Sequence, residues 1–347
     1  MKPIFLFLFI FSYPLFNYAQ VGGDNTFQFL QLPVSSRIQA LGGNLITVND
    51  GDVTLANNNP ASLSARAHQQ IAFNYQTLFA GIRNGYVGYA HQLNKWNITT
   101  HLGIQFVNYG SLKGADEYGN ETAPFAANEY AITLGAAKQL SERISIGSNI
   151  RYIGSQFETY RASGIGADAV AMYSDTASQF TATLALQNVG YQLTAYKQRE
   201  KLPFEVQIGI SKKLRYLPLR FSVIYHHAQR WNLRYDNPTE QNNILFLGEE
   251  TTKTSNTSLF FDNLFRHFIF SGEFLIGKNE NLRLRVGYNH QRRKELSVIN
   301  FRSLSGFSGG IGVKIYRFRI DYSFASYHLV GSTHQFGIST GIQEFRR

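Results

Sequence analysis

Histidine is the residue type in this chain best suited to act as a general base or a metal ligand, and nine histidines are scattered along its 347 residues. His226 and His227 form the one adjacent pair. Because neighbouring side chains on a β-strand point to opposite faces, this pair is not expected to chelate one metal ion. The sequence lacks HExxH and P-loop motifs, and a dinucleotide fingerprint followed by a helix. We therefore expect a protein without enzymatic activity, cofactor or metal.

The absence of cysteine narrows the chemistry further. It rules out disulfides, thiolate metal sites, a cysteine nucleophile and lipid attachment at an N-terminal cysteine. Any membrane association must then come from the fold itself.

Charged residues recur at alternate positions, between apolar ones. Because a lipid-facing Arg or Lys costs roughly 2–4 kcal/mol at the middle of a bilayer, the charged face is predicted to point into a lumen. These charges either line a water channel or pair with each other and with a plug, and the second arrangement is favoured because a plug-sized segment is present. The predicted lumen charges are Arg151, Asp168, Glu205, Arg220, Glu273, Arg283, Arg285, Lys314, Arg319 and Asp321.

The elements that position these charges are predicted to be β-strands. Leu282, Leu284 and Val286 alternate with Arg283 and Arg285, and the same period of two recurs back to about residue 70. We count fourteen candidate strands, joined alternately by tight turns and by long links at 110–128, 190–203, 229–267 and 294–306. Short turns on one side and long loops on the other are typical of outer-membrane barrels. The sequence therefore predicts an all-β fold, a 14-stranded antiparallel transmembrane β-barrel; the alternative is a soluble β-sandwich.

Residues 1–19 have the pattern of a secretory signal peptide, with Lys2 before an apolar stretch from Ile4 to Phe16 and Ala19 as a cleavage residue. This predicts export, and with the strands it predicts location in the outer membrane of a Gram-negative cell. The net charge of +10 fits attraction to anionic lipopolysaccharide, or a scatter of lumen and rim arginines. Nucleic acid is not expected as a partner, because there is no long Lys/Arg block.

Residues 20–69 do not have the pattern of a strand, and they are predicted to form a plug inside the mouth of the barrel. The barrel itself is predicted to comprise residues 70–347. A periplasmic tail is the alternative. The segment is compact and rich in small residues. Its characteristic positions are Arg37, Leu41, Gly42, Gly43, Asp50, Asp52, Asn59, Pro60 and Ala61.

The longest link ends in an aromatic segment that is unusual for a water-exposed loop. Exposed apolar patches of this kind mark partner sites, although the segment could also fold over the barrel rim. The candidate partner-binding loop consists of Phe260, Phe261, Asp262, Asn263, Leu264, Phe265, Arg266 and His267.

Three stretches carry a resemblance to a known family: the lead from Gly22 to Leu30, the run from Ser36 to Gly43 followed by Asn59-Pro60-Ala61, and the segment from Asp262 to His267. Together they resemble the PorV/PorQ group, and the PorQ-like members most closely. Proteins of this group are FadL-like, fourteen-stranded barrels of the type IX secretion system in Bacteroidetes. The resemblance covers essentially the whole mature chain, although barrel alternation outside these stretches is generic.

The resemblance implies that the chain anchors a PorZ-like surface protein in the complex that attaches secreted cargo to lipopolysaccharide. Two other functions stay open. A FadL-like transporter of hydrophobic molecules would need an apolar cavity beside the plug and a lateral opening, for which the glycine-containing strand at Gly85–Leu93 is a candidate. A general porin would need an open lumen.

Overall fold

The computed structural model describes residues 25–234, 256–277, 279–296, 304–328 and 331–345, so the predicted signal peptide lies outside the described residues. Fourteen antiparallel strands form a closed barrel in which each strand pairs with its neighbours in sequence and β1 pairs with β14. The predicted fold is confirmed. The strands are β1 (Gln70–Thr77), β2 (Arg83–Leu93), β3 (Ile98–Ala115), β4 (Glu121–Gln139), β5 (Ile144–Phe157), β6 (Tyr160–Asp175), β7 (Phe180–Thr194), β8 (Glu205–Lys213), β9 (Leu219–Tyr225), β10 (Phe268–Ile276), β11 (Leu282–Asn289), β12 (Phe307–Ile315), β13 (Phe318–His328) and β14 (Gly331–Gly341).

Within these described ranges, three short α-helices accompany the strands: α1 (Ser36–Ala40), α2 (Asn256–Arg266) and α3 (His290–Glu295). None of the helices in the described ranges is long and apolar enough to cross a membrane. Single 3-10 turns lie at Gln28–Gln31, Val53–Asn57, Pro60–Ser62, Ala65–Ala67, Phe79–Gly81, Asn94–Trp96 and Ile342–Phe345.

The period of two decides which side of each strand faces the lumen. In β11, Arg283 and Arg285 are 6% and 2% exposed, whereas Leu284 and Val286 are 40% and 57% exposed. The outer wall is therefore apolar and the interior polar, as expected for a barrel whose solvent outside is lipid.

The two ends of the barrel differ in their connections. At one end, called here the short-turn end, the links are as brief as residues 316–317, and residue 69 enters β1 there. At the other, the long-link end, the connections include residues 195–204, 226–267 and 290–306, parts of which lie outside the described residues.

The connection at residues 110–128 is shorter than predicted. Strands β3 and β4 continue through most of it and leave only residues 116–120 as a turn. Beyond the wall both faces of these strands meet water; Lys113 and Glu121, which form an ion pair there, have side chains 85% and 77% exposed. The apolar–polar alternation is lost where neither face is covered, which is why the sequence pattern ended too early.

Strand β2 contains no lateral opening, contrary to the expectation for Gly85–Leu93. It pairs with β1 and β3 without a register shift. Its glycines make room for rings instead, because a Cβ on Gly85 would lie 2.1 Å from Cζ of Phe106 and one on Gly88 would lie 2.9 Å from Cε1 of Tyr86. The register shifts occur between β3 and β4, β6 and β7, and β13 and β14.

Candidate functional site

The segment before β1 packs inside the barrel, and Arg37 lies at its centre. Ser35 caps α1, its hydroxyl accepting a hydrogen bond from the Ile38 amide at 3.3 Å. Arg37 is 2% exposed, and its guanidinium donates to Asp50 at 2.7 Å and to Asp52 at 3.1 Å. Three positions predicted to belong to the plug are therefore joined by charge-assisted hydrogen bonds.

Glu273 on β10 is the barrel's counterpart to Arg37. Arg37 donates to both of its carboxylate oxygens, at 2.9 Å and 3.1 Å. Glu273 also accepts from Arg285 at 2.9 Å and from Arg220 at 3.1 Å. Four guanidinium groups and four carboxylates meet here, so their formal charges cancel. We call this set the central charge network: Arg37, Arg220, Arg283, Arg285, Asp50, Asp52, Glu273 and Asp321.

The central charge network fixes the segment to the wall. Its members are mostly withdrawn from water, and removing one partner of a buried pair typically costs about 3–5 kcal/mol because the remaining charge is left unpaired. Arg319, a predicted lumen charge, is half-buried on β13 and faces inward beside Lys314. Lys314 lies near the short-turn end and pairs with Glu344 at 3.3 Å.

A second polar contact holds the opposite side of the plug. Arg151 donates to the carbonyl of Asn57 and to Asp168, both at 3.0 Å. Asn149 donates to the carbonyls of Ala56 and Asn57, each at 3.1 Å. Two predicted lumen charges therefore pair with each other while one of them also binds the plug backbone.

Glycines allow the plug backbone to touch the wall. Gly42 and Gly43 have φ angles of 92° and 91°, a region that side chains disfavour. Gly42 meets Gly287 of β11, where an added Cβ would lie 2.1 Å from the Gly42 nitrogen, and its amide donates to the Ser308 hydroxyl at 3.0 Å. Leu41 beside them is buried.

The predicted Asn59-Pro60-Ala61 motif makes the same kind of contact on β5. All three residues are buried. A Cβ on Gly147 would lie 2.4 Å from the Ala61 nitrogen, and the Ser145 hydroxyl donates to the Ala61 carbonyl at 2.9 Å. Every predicted plug position thus lies within the lumen.

The first described part of the chain lies at the long-link end, in an apolar setting. Thr26 donates its amide to the carbonyl of Lys201 in the link between β7 and β8, at 3.1 Å. Phe27 and Phe29 are 3% and 2% exposed. We call the buried cluster around them the apolar vestibule: Phe27, Phe29, Leu30, Val107, Ala131, Ile153, Ala162 and Leu202.

Strand β6 makes space for the apolar vestibule. A Cβ on Gly164 would lie 2.8 Å from Cε2 of Phe27, and one on Gly166 would lie 3.3 Å from Cδ2 of Leu202. The pairing of β6 with β7 shifts register twice here, between Ser163 and Gly164 and between Ala167 and Ala169. Two irregularities of this kind weaken the ladder locally. The wall is therefore irregular beside the apolar vestibule.

The predicted partner-binding loop is a helix, α2, here called the rim helix. Asp262 and Arg266, four residues apart, pair at 2.9 Å. Asn263 and His267 are 5% and 0% exposed and face the barrel. Charge and burial therefore repeat at helical spacing, which the prediction of a loop for this stretch missed.

The outer face of the rim helix is aromatic. Phe260, Phe261 and Phe265 are 51%, 51% and 46% exposed, whereas Leu264 is half-buried. The helix is held by its inner face, where the Asn263 amide donates to the carbonyl of Trp231 at 2.7 Å. One face of this segment packs on the rim and the other is exposed, and binding of a partner stays a prediction.

The strand alternation assumed for the histidine pair does not extend to it. Strand β9 ends at Tyr225, and His227 adopts a left-handed conformation with φ of 54°, so the alternation of faces stops before the pair. The Nδ1 atoms of His226 and His227 lie 3.6 Å and 3.7 Å from the same oxygen of Glu205. Within the described ranges, these three side chains are the group suited to hold a metal ion.

Two buried polar contacts were not predicted, although the alternation could have found them. Glu129, 6% exposed, accepts hydrogen bonds from the hydroxyls of Tyr109 and Ser155 at 2.5 Å and 2.9 Å. His101 lies 2.7 Å from the Tyr86 hydroxyl. Glu129 and His101 occupy inward positions of predicted strands, but a lone charge or imidazole carries no motif.

The cavities fall on both sides of the wall. A space of about 10 Å³ between plug and strands, lined by Arg37, Asp52 and Asp321 among others, has room for one water molecule at most. Two apolar grooves lie on the outer face, one of them over Ala136, Ala171 and Leu184.

No protein-family model matches the chain, and no curated protein sequence matches it. Among solved structures, the CymD monoaromatic hydrocarbon channel is 12% identical, with a TM-score of 0.52 over 89% of this chain and 96% of that one. The toluene transporter TodX of Pseudomonas putida is 9% identical (TM-score 0.48, 89% and 97% coverage), and a FadL homologue of Pseudomonas aeruginosa is 10% identical (0.47, 88% and 97%). The PorQ-like assignment stays a prediction. The chain has the fold of the CymD channel, a closed 14-stranded barrel.

Proposed function

We propose that this chain resides in the outer membrane and binds hydrophobic small molecules for passage across it. The apolar outer wall fits lipid, and the long-link end would face the cell exterior. The proposal depends on one observation, the apolar vestibule inside the lumen at the long-link end. In the resting state Phe27, Phe29 and Leu30 occupy the place that a hydrophobic guest would take.

The route follows from the wall. A guest entering from the long-link end would displace Phe27, because dispersion contacts are non-directional and a small aromatic molecule can replace a phenyl ring. The twice-shifted pairing of β6 with β7 beside Gly164 offers the lateral exit. CymD, whose fold this chain shares, is described as a channel for monoaromatic hydrocarbons, which is the guest class we assign here.

Uptake into liposomes tests this proposal. Purified chain reconstituted in vesicles should deliver a fluorescent aromatic probe to an enclosed acceptor, and Phe27→Ala should bind the probe more tightly because its site is vacated. The matched control is Phe73→Ala, which removes an outward-facing ring that is 45% exposed. If neither the natural chain nor Phe27→Ala takes up or binds the probe, the proposal fails.

A second function is favoured by the rim helix and by the sequence resemblance to the PorQ-like group. We propose that Phe260, Phe261 and Phe265 bind a PorZ-like surface protein of the type IX secretion system. Held from behind by Asn263 and His267, the three rings form a preorganised apolar surface, which lowers the entropic cost of association.

The aromatic surface also runs toward the outer wall. The ring of Phe265 lies 6.4 Å from that of Phe268, which lies 5.9 Å from that of Phe270. A lipid-contacting rim helix is therefore the competing explanation of the exposed rings.

Surface retention separates the two explanations. Deleting the chain, or replacing all three phenylalanines by serine, should release the surface partner into the medium. The control Phe270→Ser changes a wall ring outside the helix. Unchanged retention with the triple variant, together with loss of the variant's membrane partition, would assign the rings to lipid and reject the anchoring function.

A further inference from the structure

Glu205, His226 and His227 come together where two strands meet the long-link end. Glu205 opens β8, and the two histidines directly follow β9, which pairs with β8 from Ile208↔Tyr225 onward. The left-handed turn at His227 brings its ring to the side of the strand on which His226 already lies. The ring centroids are 4.6 Å apart.

The separations match a shared ion better than a hydrogen bond. The two Nδ1 atoms lie 3.6 Å and 3.7 Å from one oxygen of Glu205, beyond the 2.7–3.2 Å of an N–H···O bond. Donor atoms that share a tetrahedral zinc at about 2.0–2.2 Å lie about 3.3–3.6 Å apart, so small movements would bring all three into contact with one ion.

The surroundings support ligation. Glu205 and His226 are 6% and 4% exposed, and Nε2 of His226 is buried without a hydrogen-bond partner, so either ring nitrogen of His226 can serve as the ligand atom. His267 lies close by, but its ring nitrogens are engaged with the carbonyls of His226 and Trp231 at 2.8 Å and 3.0 Å. His267 therefore positions the backbone of His226 and leaves the three-residue set as the ligands.

We propose that Glu205, His226 and His227 bind one divalent ion of the zinc class. Two imidazoles and one carboxylate suit a borderline ion such as Zn²⁺ and leave a fourth position open for water or a partner's side chain. The ion joins the start of β8 to the base of the longest link. The site therefore stabilises the rim at the point from which the rim helix is held.

Metal binding to the whole purified chain, made without a histidine tag and refolded in detergent, tests the proposal. We expect one Zn²⁺ per chain by equilibrium dialysis and elemental analysis, and visible Co²⁺ absorption of the intensity that tetrahedral sites show. Changing a group that only supports a metal ligand typically lowers metal affinity by about 10–100-fold. His227→Ala removes a ligand itself, so it should lower the affinity for Zn²⁺ by more than about tenfold. Absence of stoichiometric binding at micromolar Zn²⁺ would overturn the site.

Two further variants keep the test decisive. Glu205→Gln preserves size and polarity, so it should fold and yet lose affinity; unchanged binding would overturn the three-residue site. His68→Ala is the matched control, because the His68 and His91 rings also lie close, 4.8 Å apart, but outside the set suited to a metal among the described residues. Heat-modifiable migration on a gel confirms that each variant is a folded barrel.

Discussion

The plug is held to the barrel in two different ways along its length. At the centre, the guanidinium of Arg37 satisfies three carboxylates with defined geometry, and Glu273 is bound in turn by two more arginines. At the long-link end, the rings of Phe27 and Phe29 make apolar contacts, and the Gln105 side chain donates a hydrogen bond to the Phe29 carbonyl at 3.2 Å. A buried ion network tolerates little displacement, whereas an apolar cluster can be re-formed by a different apolar group. The first contact is thus suited to closing the lumen and the second to exchange with a guest.

Breaking the central charge network should have the largest effect. Arg37→Met leaves three carboxylates without their shared partner, so the free energy of unfolding should fall by about 3–5 kcal/mol. Urea unfolding followed by gel mobility measures this, and bilayer conductance should rise as the plug loosens. Arg37→Lys is the control that retains charge without the forked geometry. An unchanged midpoint for Arg37→Met would show that the network does not hold the plug.

Removing a ring from the apolar vestibule should have a smaller and more local effect. Truncating a buried Phe costs about 3–5 kcal/mol in a rigid core. Here we expect Phe27→Ala to lower the hydrogen-exchange protection of residues 25–32, while the global unfolding midpoint moves less than for Arg37→Met. Equal shifts of the unfolding midpoint in Phe27→Ala and Arg37→Met would contradict the proposed difference between the apolar vestibule and the central charge network.

The cap between the two regions should contribute less again. Ser35→Ala removes the hydroxyl that accepts a hydrogen bond from the Ile38 amide. Loss of such a helix cap typically lowers the free energy of unfolding by about 1 kcal/mol. The control is Ser64→Ala, since Ser64 precedes a 3-10 turn without capping it. A loss for Ser64→Ala as large as that for Ser35→Ala would contradict the assigned role of the cap.

The smallest effect should come from the half-buried charges of the rim helix, which sharpen the comparison with the central charge network. Burial raises the pKa of Asp262, but hydrogen bonds from Lys294 and Arg266 outweigh it and hold that pKa below its usual value. Because the folded-state pKa is lowered, the stabilisation is present above about pH 3.9 and is lost as pH falls through the folded-state pKa. For these pairs at the rim, whose side chains are 13% to 43% exposed, we expect about 0.2–1 kcal/mol.

Trp231 reports this transition, since its ring lies 5.5 Å from that of Phe260 on the rim helix. With Trp96 replaced by Phe, its fluorescence should change on acidification. Asp262→Asn should show the acid signal already at neutral pH. A titration that persists in Asp262→Asn would assign the change to another group.

The barrel fold could be predicted from the sequence alone, because burial of one face of each strand imposes a period of two that is visible in the sequence. It also placed Arg37, Asp50 and Asp52 in a plug. It could not show that Glu273, more than 200 residues away, completes their network, because such pairing depends on how the closed wall brings β10 opposite α1.

Local departures from regular geometry were missed for a related reason. The histidine pair was judged by strand alternation, but the strand ends at Tyr225 and a left-handed residue follows. The rim helix was judged as a loop because it lies in the longest link, although Asp262 and Arg266 stand at helical spacing. A period is informative only while the element that creates it continues.

The path of the plug has a consequence for how the molecule is assembled. Residue 26 pairs at the long-link end of the barrel, whereas residue 69 enters β1 at the short-turn end. The segment therefore runs through the whole length of the lumen. Such a segment cannot enter the lumen through the wall once β1 has paired with β14 and closed the barrel. If the segment docks on β10 and β5 before the barrel closes, those contacts help to set the register in which β1 and β14 pair.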